Sequence, residues 1–86
     1  MIDQFLEIIN HYGAKNQQRK LAEEVFELQE AITLFESGQG DVKNVIEEIA
    51  DVYVLLEQFE YYYEIEPEEI GKVIQYKVNR TIERMK

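Results

Sequence analysis

Apolar residues recur at alternating spacings of three and four along most of the chain, and the only Gly and Pro residues, at Gly13, Gly38, Gly40, Pro67 and Gly71, interrupt those runs. That pattern predicts helices, with the breakers as their boundaries. The expected elements run from about Ile2 to Tyr12, Ala14 to Glu36, Val42 to Glu64 and Pro67 to Met85, with Gly13 as a kink between the first two. Asp41 stands where an N-cap belongs, after the Gly38-Gln39-Gly40 turn, and Pro67 followed by Glu68 and Glu69 suits a first helical turn. The expectation is an all-α, four-helix, bundle-like fold with a short first helix, forming a single domain over residues 1–86.

In the second segment Leu21, Val25, Leu28, Ile32 and Phe35 form one stripe, the pattern of a face that packs on neighbouring helices. Lys20, Glu24 and Glu27 fall along one edge of it, whereas Glu23 and Glu30 point away. Phe26 and Leu34 lie on opposite flanks, which predicts a second apolar surface covered by another element or by a second subunit. The third segment carries Ile46, Ile49, Ala50, Val52, Tyr53, Val54, Leu55, Leu56 and Phe59, apolar on nearly every side of Asp51. Such a helix is expected to be buried, and an ionised Asp51 within it requires a cation or a basic partner.

The 86 residues are near the lower limit at which one core sustains itself, so association into a homodimer or homotetramer is expected. The absence of cysteine removes disulfides and thiolate-bound zinc and makes a reducing, cytoplasmic setting the default. No basic leader or membrane-length apolar run is evident, so a soluble protein without a membrane partner is expected. A net charge of -9, from 18 acidic and 9 basic residues, opposes non-specific binding to a nucleic-acid backbone. It leaves free nucleotides open, because a divalent cation can bridge phosphate to carboxylate.

Candidate chemistry concentrates in "EEVFE" and "EEIAD". Glu24 and Glu27, then Glu48 and Asp51, are two i, i+3 pairs, each on one face of its helix. The short turn between the helices makes them antiparallel neighbours, which brings four carboxylates together as an oxygen cage suited to Mg²⁺ or Mn²⁺. A di-iron carboxylate centre normally takes Glu-x-x-His motifs, and the lone His11 is not in one.

These residues carry a resemblance. "KLAEEVFEL" followed by "EEIADVYVLL" is similar to the EExxE, spacer, ExxD signature of the MazG-like all-α nucleoside triphosphate pyrophosphohydrolases, and "YKVNRTIERM" looks like the basic last helix of small, phage-type members. The resemblance implies Mg²⁺-dependent hydrolysis of nucleoside triphosphates, including non-canonical or deoxy ones, to monophosphate and pyrophosphate. It implies that Glu24, Glu27, Glu48 and Asp51 ligate the metal, that Glu27 or Glu24 serves as base, that Lys20 lies near the phosphates and that Glu23 is auxiliary. Lys77 and Arg80 are then candidates to hold pyrophosphate, and Gln17, His11 and Tyr12 are candidates to contact the base. One position departs from the pattern: Asn44, four before Glu48, stands where many relatives carry lysine. The alternative expectation is a non-catalytic helical module that binds a partner or senses a nucleotide.

Overall fold

The computed structural model describes residues 2–86, with side chains described from Gln4 onward. Four helices follow in order: α1 (Ile2–Tyr12), α2 (Ala14–Glu36), α3 (Val42–Tyr62) and α4 (Pro67–Arg84), and the described residues contain no strand. None of these helices is long and apolar enough to cross a membrane.

Local chemistry sets the boundaries. Gly13 separates α1 from α2 with φ +92°, a backbone conformation that favours glycine. Its N–H donates to Ile9 O at 2.8 Å and its carbonyl accepts from Gln17 N at 3.0 Å, so one residue closes the first helix and opens the second. At the end of α2, Gly38 (φ +80°) donates to Phe35 O and Gln39 donates to Leu34 O, the paired bonds of a Schellman ending. Asp41 caps α3 by accepting from Lys43 N at 2.9 Å, as its position predicts.

The third helix ends at Tyr62, two residues before the expected Glu64. Glu64 takes φ +57°, its N–H donates to Tyr61 O, and Ile65 N donates to Glu60 O at 2.8 Å. This is the same Schellman ending as in α2, with a glutamate where glycine is usual.

α2 and α3 pack as an antiparallel hairpin, and α1 lies against both. Phe5 stacks on Tyr61 with ring centroids 5.7 Å apart, fixing α1 to the far end of α3. The core of this three-helix body is small: among the described residues Ile9, Ala31, Val52 and Leu55 are the buried apolar ones, with the buried Gln17, Glu24 and Gln58 beside them.

The stripe expected to be core in α2 is not core within one chain. Val25, Ile32 and Phe35 remain 46%, 44% and 42% exposed. The buried positions of α2 are Gln17, Glu24 and Ala31, one heptad apart, with Leu21 and Leu28 half-buried between them. The helix is rotated so that its polar edge enters the seam with α3 and its most apolar edge faces out.

α3 departs from expectation in the same sense. It buries Val52, Leu55 and Gln58, while Ile46, Tyr53, Val54 and Leu56 are exposed, and so is Asp51. The expectation of a buried Asp51 is therefore corrected. The carboxylates that enter the seam are those of Glu24 and Glu48, because the α2–α3 packing face runs through Glu48, Val52 and Leu55 and leaves Asp51 on its flank.

α4 stands apart. It buries no residue and meets the other helices only marginally, although Val73, Ile74, Tyr76, Val78 and Ile82 lie along it. The radius of gyration, 15.5 Å, exceeds the roughly 12 Å typical of a compact chain of this length.

Candidate functional site

The α2–α3 register places the polar residues of the seam at matched levels. Gln17 faces Gln58 near one end, and one heptad further along each helix stand Glu24 and Asp51. Glu27 and Glu48 follow at the next turn. This ordering comes from two antiparallel helices that repeat their contacts every seven residues.

At the centre, carboxylate oxygens of Glu24, Glu27 and Glu48 all lie within 4.8 Å of one another. One oxygen of Glu24 and one of Glu48, Oε2 in each, are sealed from solvent without a hydrogen-bond partner. Leaving ionised oxygens in that state costs free energy that a donor or cation must offset. Lys20 Nζ supplies only part of this. It lies 3.4 Å from Glu24 Oε1, the other oxygen, on a side chain that is 55% exposed.

The electrostatics agree with the geometry. Loss of hydration holds the Glu48 carboxyl above the ordinary carboxylate range, and the negative charges of Glu27, Asp51 and Glu24 push it further in the same direction. Asp51 is thus electrically part of the cluster although its oxygens lie outside the tight group of three.

The donor set fits a hard divalent cation. Oxygens on one Mg²⁺ stand about 3 Å apart when adjacent and about 4.2 Å apart when opposed, so the three carboxylates, within 4.8 Å of one another, would close in to share an ion. Asp51 lines the cleft beside Glu24 and is the fourth carboxylate near the set, and water or phosphate oxygens would take the remaining positions.

A cleft of about 580 Å³ adjoins this cluster through Glu24 and is lined as well by Asp51, Lys20, Tyr12, Gln17 and Gln58 and by the apolar Ile8, Val54 and Leu55. Gln17 Nε2 donates to Gln58 Oε1 at 2.9 Å, and among the described residues neither Gln17 Oε1 nor Gln58 Nε2 has a further side-chain partner. Both residues line the cleft, so this acceptor and this donor remain available to a ligand. Sequence reasoning named neither Gln58 nor Ile8, and it placed Val54 and Leu55 only in the apolar surroundings of Asp51. The heptad relation of Gln58 to Asp51, set against that of Gln17 to Glu24, was the available signal.

The remaining sequence candidates lie elsewhere. Glu23 is exposed, outside both the carboxylate group and the cleft lining. His11 is exposed and packs edge-on against the Tyr12 ring at 4.7 Å. Lys77 and Arg80 are on α4, where Arg80 lies 5.5 Å from the centre of the Tyr76 ring, and neither lines the cleft. Asn44 is exposed in the first turn of α3. No known protein family, curated protein or solved structure matches the chain.

Proposed function

We propose that the chain is a Mg²⁺-dependent nucleoside triphosphate pyrophosphohydrolase of MazG-like type, acting in the cytoplasm as a homodimer or homotetramer. The observation that carries this reading is the pair of sealed, unpartnered oxygens of Glu24 and Glu48 beside Glu27, next to a cleft that Glu24 lines together with Asp51, Lys20, apolar side chains and two amides. A metal–phosphate end joined to a flat, partly apolar end with hydrogen-bonding groups is the chemistry a nucleotide presents.

Glu24, Glu27, Glu48 and Asp51 would hold the ion, with Mn²⁺ as a substitute. Bound there, Mg²⁺ would reduce the charge on the phosphate oxygens and lower the pKa of a water. The exposed Lys20 ammonium reaches the phosphates from the rim, and Glu27, on the open side of the cluster, orients the attacking water and accepts its proton. Water oxygen bonds to the α- or β-phosphorus, the anhydride bond between them breaks, and monophosphate and pyrophosphate leave. Tyr12, Ile8 and Val54 flank the base, while Gln17 Oε1 and Gln58 Nε2 offer one acceptor and one donor to its edge.

The test is pyrophosphate release from canonical, deoxy and modified nucleoside triphosphates, with Mg²⁺ or EDTA, for the native chain and Asp51→Asn. Release that needs metal and is lost in the variant is expected. A second reading, a non-catalytic helical module that binds a partner or nucleotide, draws on the exposed apolar face of α4; binding without turnover by the native chain would select it.

A further inference from the structure

We infer that Lys20 is the counter-cation of the carboxylate cluster, paired with Glu24 until a divalent ion takes that carboxylate, and that its ammonium then passes to the phosphate. The site on this account favours metal and nucleotide together over metal alone. The passage to phosphate rests on the nucleotide reading above; the competition between Lys20 and the metal rests on the cluster.

Three observations carry it. The first is the unequal use of the two oxygens of the buried Glu24. Oε2 is sealed without a hydrogen-bond partner, while Oε1 meets Lys20 Nζ at 3.4 Å. Glu24 is the most enclosed of the three carboxylates that stand within 4.8 Å of one another, so the ammonium is held by one of the residues a metal would need.

The second is that Lys20 has no competitor in this role. Among the described residues it is the one cation within ion-pair distance of Glu24, Glu27, Glu48 or Asp51, and the only other ion pair, Lys86 with Glu83, lies at the far end of α4.

The third is that the pair is built to exchange. The Lys20 side chain is half exposed, and a lysine four residues before its glutamate is the less favourable order for an ion pair along a helix. Lys20 also lines the cleft together with Glu24 and Asp51. A lysine's flexible four-carbon stem lets the ammonium trade the carboxylate for the cleft with no movement of the backbone.

The sign of the effect follows from charge. Lys20 and a divalent ion are both cations and both need Glu24, so the ammonium weakens the binding of metal by itself. A phosphate in the cleft reverses this, because it offers the displaced ammonium a new anion and a charge-assisted hydrogen bond. The coupling is reciprocal: whatever factor Lys20 adds to phosphate affinity when metal is bound, it adds to metal affinity when phosphate is bound.

Two variants and two ligands test it by titration calorimetry, without turnover. Lys20→Met removes the charge and keeps most of the stem, and Lys20→Arg keeps the charge. The ligands are Mg²⁺ alone and, at saturating Mg²⁺, a nucleoside triphosphate analogue with a methylene group in place of the oxygen between its α- and β-phosphorus. Lys20→Met is expected to bind Mg²⁺ alone roughly two- to fivefold more tightly than the native chain, the scale of a partly exposed ion pair. It is expected to bind the analogue about tenfold more weakly, the scale of one hydrogen bond to a charged group. Lys20→Arg should stay near native with both.

Mg²⁺ affinity that is unchanged or lower in Lys20→Met overturns the inference, because Lys20 then does not compete for the carboxylates. Tighter Mg²⁺ with unchanged binding of the analogue overturns the passage to phosphate and leaves the nucleotide reading standing. A native chain that binds Mg²⁺ but not the analogue removes the nucleotide reading and the passage with it, and a native chain that binds neither removes both halves.

Discussion

Gln17 and Gln58 form the one hydrogen bond between described side chains of α2 and α3, at 2.9 Å, and Gln58 is 1% exposed. The pair sits a heptad from Glu24 and Asp51 and so sets the register that brings the carboxylates level. Gln17→Leu leaves the Gln58 carbonyl buried without its donor and is expected to destabilise the fold by about 1–3 kcal/mol. Adding Gln58→Leu removes the orphan and recovers most of that loss. Urea midpoints for the single and double variants measure both effects, and the idea fails if the two changes are additive.

Metal binding should be visible as stability. The sealed oxygens of Glu24 and Glu48 are repelled by their neighbours until a cation joins them. Mg²⁺ at a hundredfold excess over its dissociation constant is expected to stabilise the native chain by about 2.7 kcal/mol. Glu24→Gln and Glu48→Gln should lose this response while folding at least as well as native without metal. Thermal melts with Mg²⁺ and with EDTA check it, and an equal Mg²⁺ response in Glu48→Gln would remove the ion from this cluster.

The pH dependence follows from Glu48. Burial first, then the charges of Glu27, Asp51 and Glu24, raise its pKa in the folded chain. The folded state therefore holds the proton more tightly than the unfolded state, and the associated stability is fully present below the unfolded value and lost as pH rises through the folded one. Metal-free protein is expected to melt at a progressively lower temperature as pH rises from about 4.5 toward neutrality. Glu48→Gln should flatten part of that slope. Because proton and cation compete for one carboxylate, Mg²⁺ affinity should fall on acidification across the same window.

Glu64 offers a purely conformational test. It occupies the left-handed position that Gly38 fills in the otherwise identical ending of α2, with φ +57° against +80°. The β-carbon costs roughly 1 kcal/mol there, and glycine regains part of it after its greater freedom in the unfolded chain is counted. Glu64→Gly is expected to raise the melting midpoint by about 2–4 °C, on the scale of 4–8 °C per kcal/mol for a domain of this size. Gly38→Ala should lower it.

The four helices and most of their ends were legible because Gly, Pro and the Asp41 cap act locally, through backbone geometry that needs no partner. Glu24, Glu27 and Glu48 were legible for a similar reason, since i, i+3 spacing fixes which side chains share a face. Rotation of the helices was not. Hydrophobic periodicity reports the most apolar face, and Val25, Ile32 and Phe35 define it in α2 without saying whether it meets the same chain or another. The seam instead took Gln17 and Glu24, polar residues beside the stripe and not within it. Gln58 was missed because its one signal, a heptad relation to Asp51 that mirrors that of Gln17 to Glu24, is hidden within an apolar run.

That outward face yields the last prediction. With four buried apolar side chains among the described residues and Phe26, Ile32, Ile46 and Tyr53 at its surface, the chain buries too little to stand alone against the entropy of its ordering. Ile32 is 44% exposed on the flank of α2 beside its seam with α3, so Ile32→Asp places a charge where a second copy would sit. The variant is expected to run as a monomer in light scattering and to unfold at a lower temperature than native, with the native midpoint rising with protein concentration and the variant midpoint not. Ile32→Val should keep the native assembly. If Ile32→Asp remains associated at native strength, the apolar edge of α2 is not what holds the copies together, and the exposed face of α4 must do so by itself.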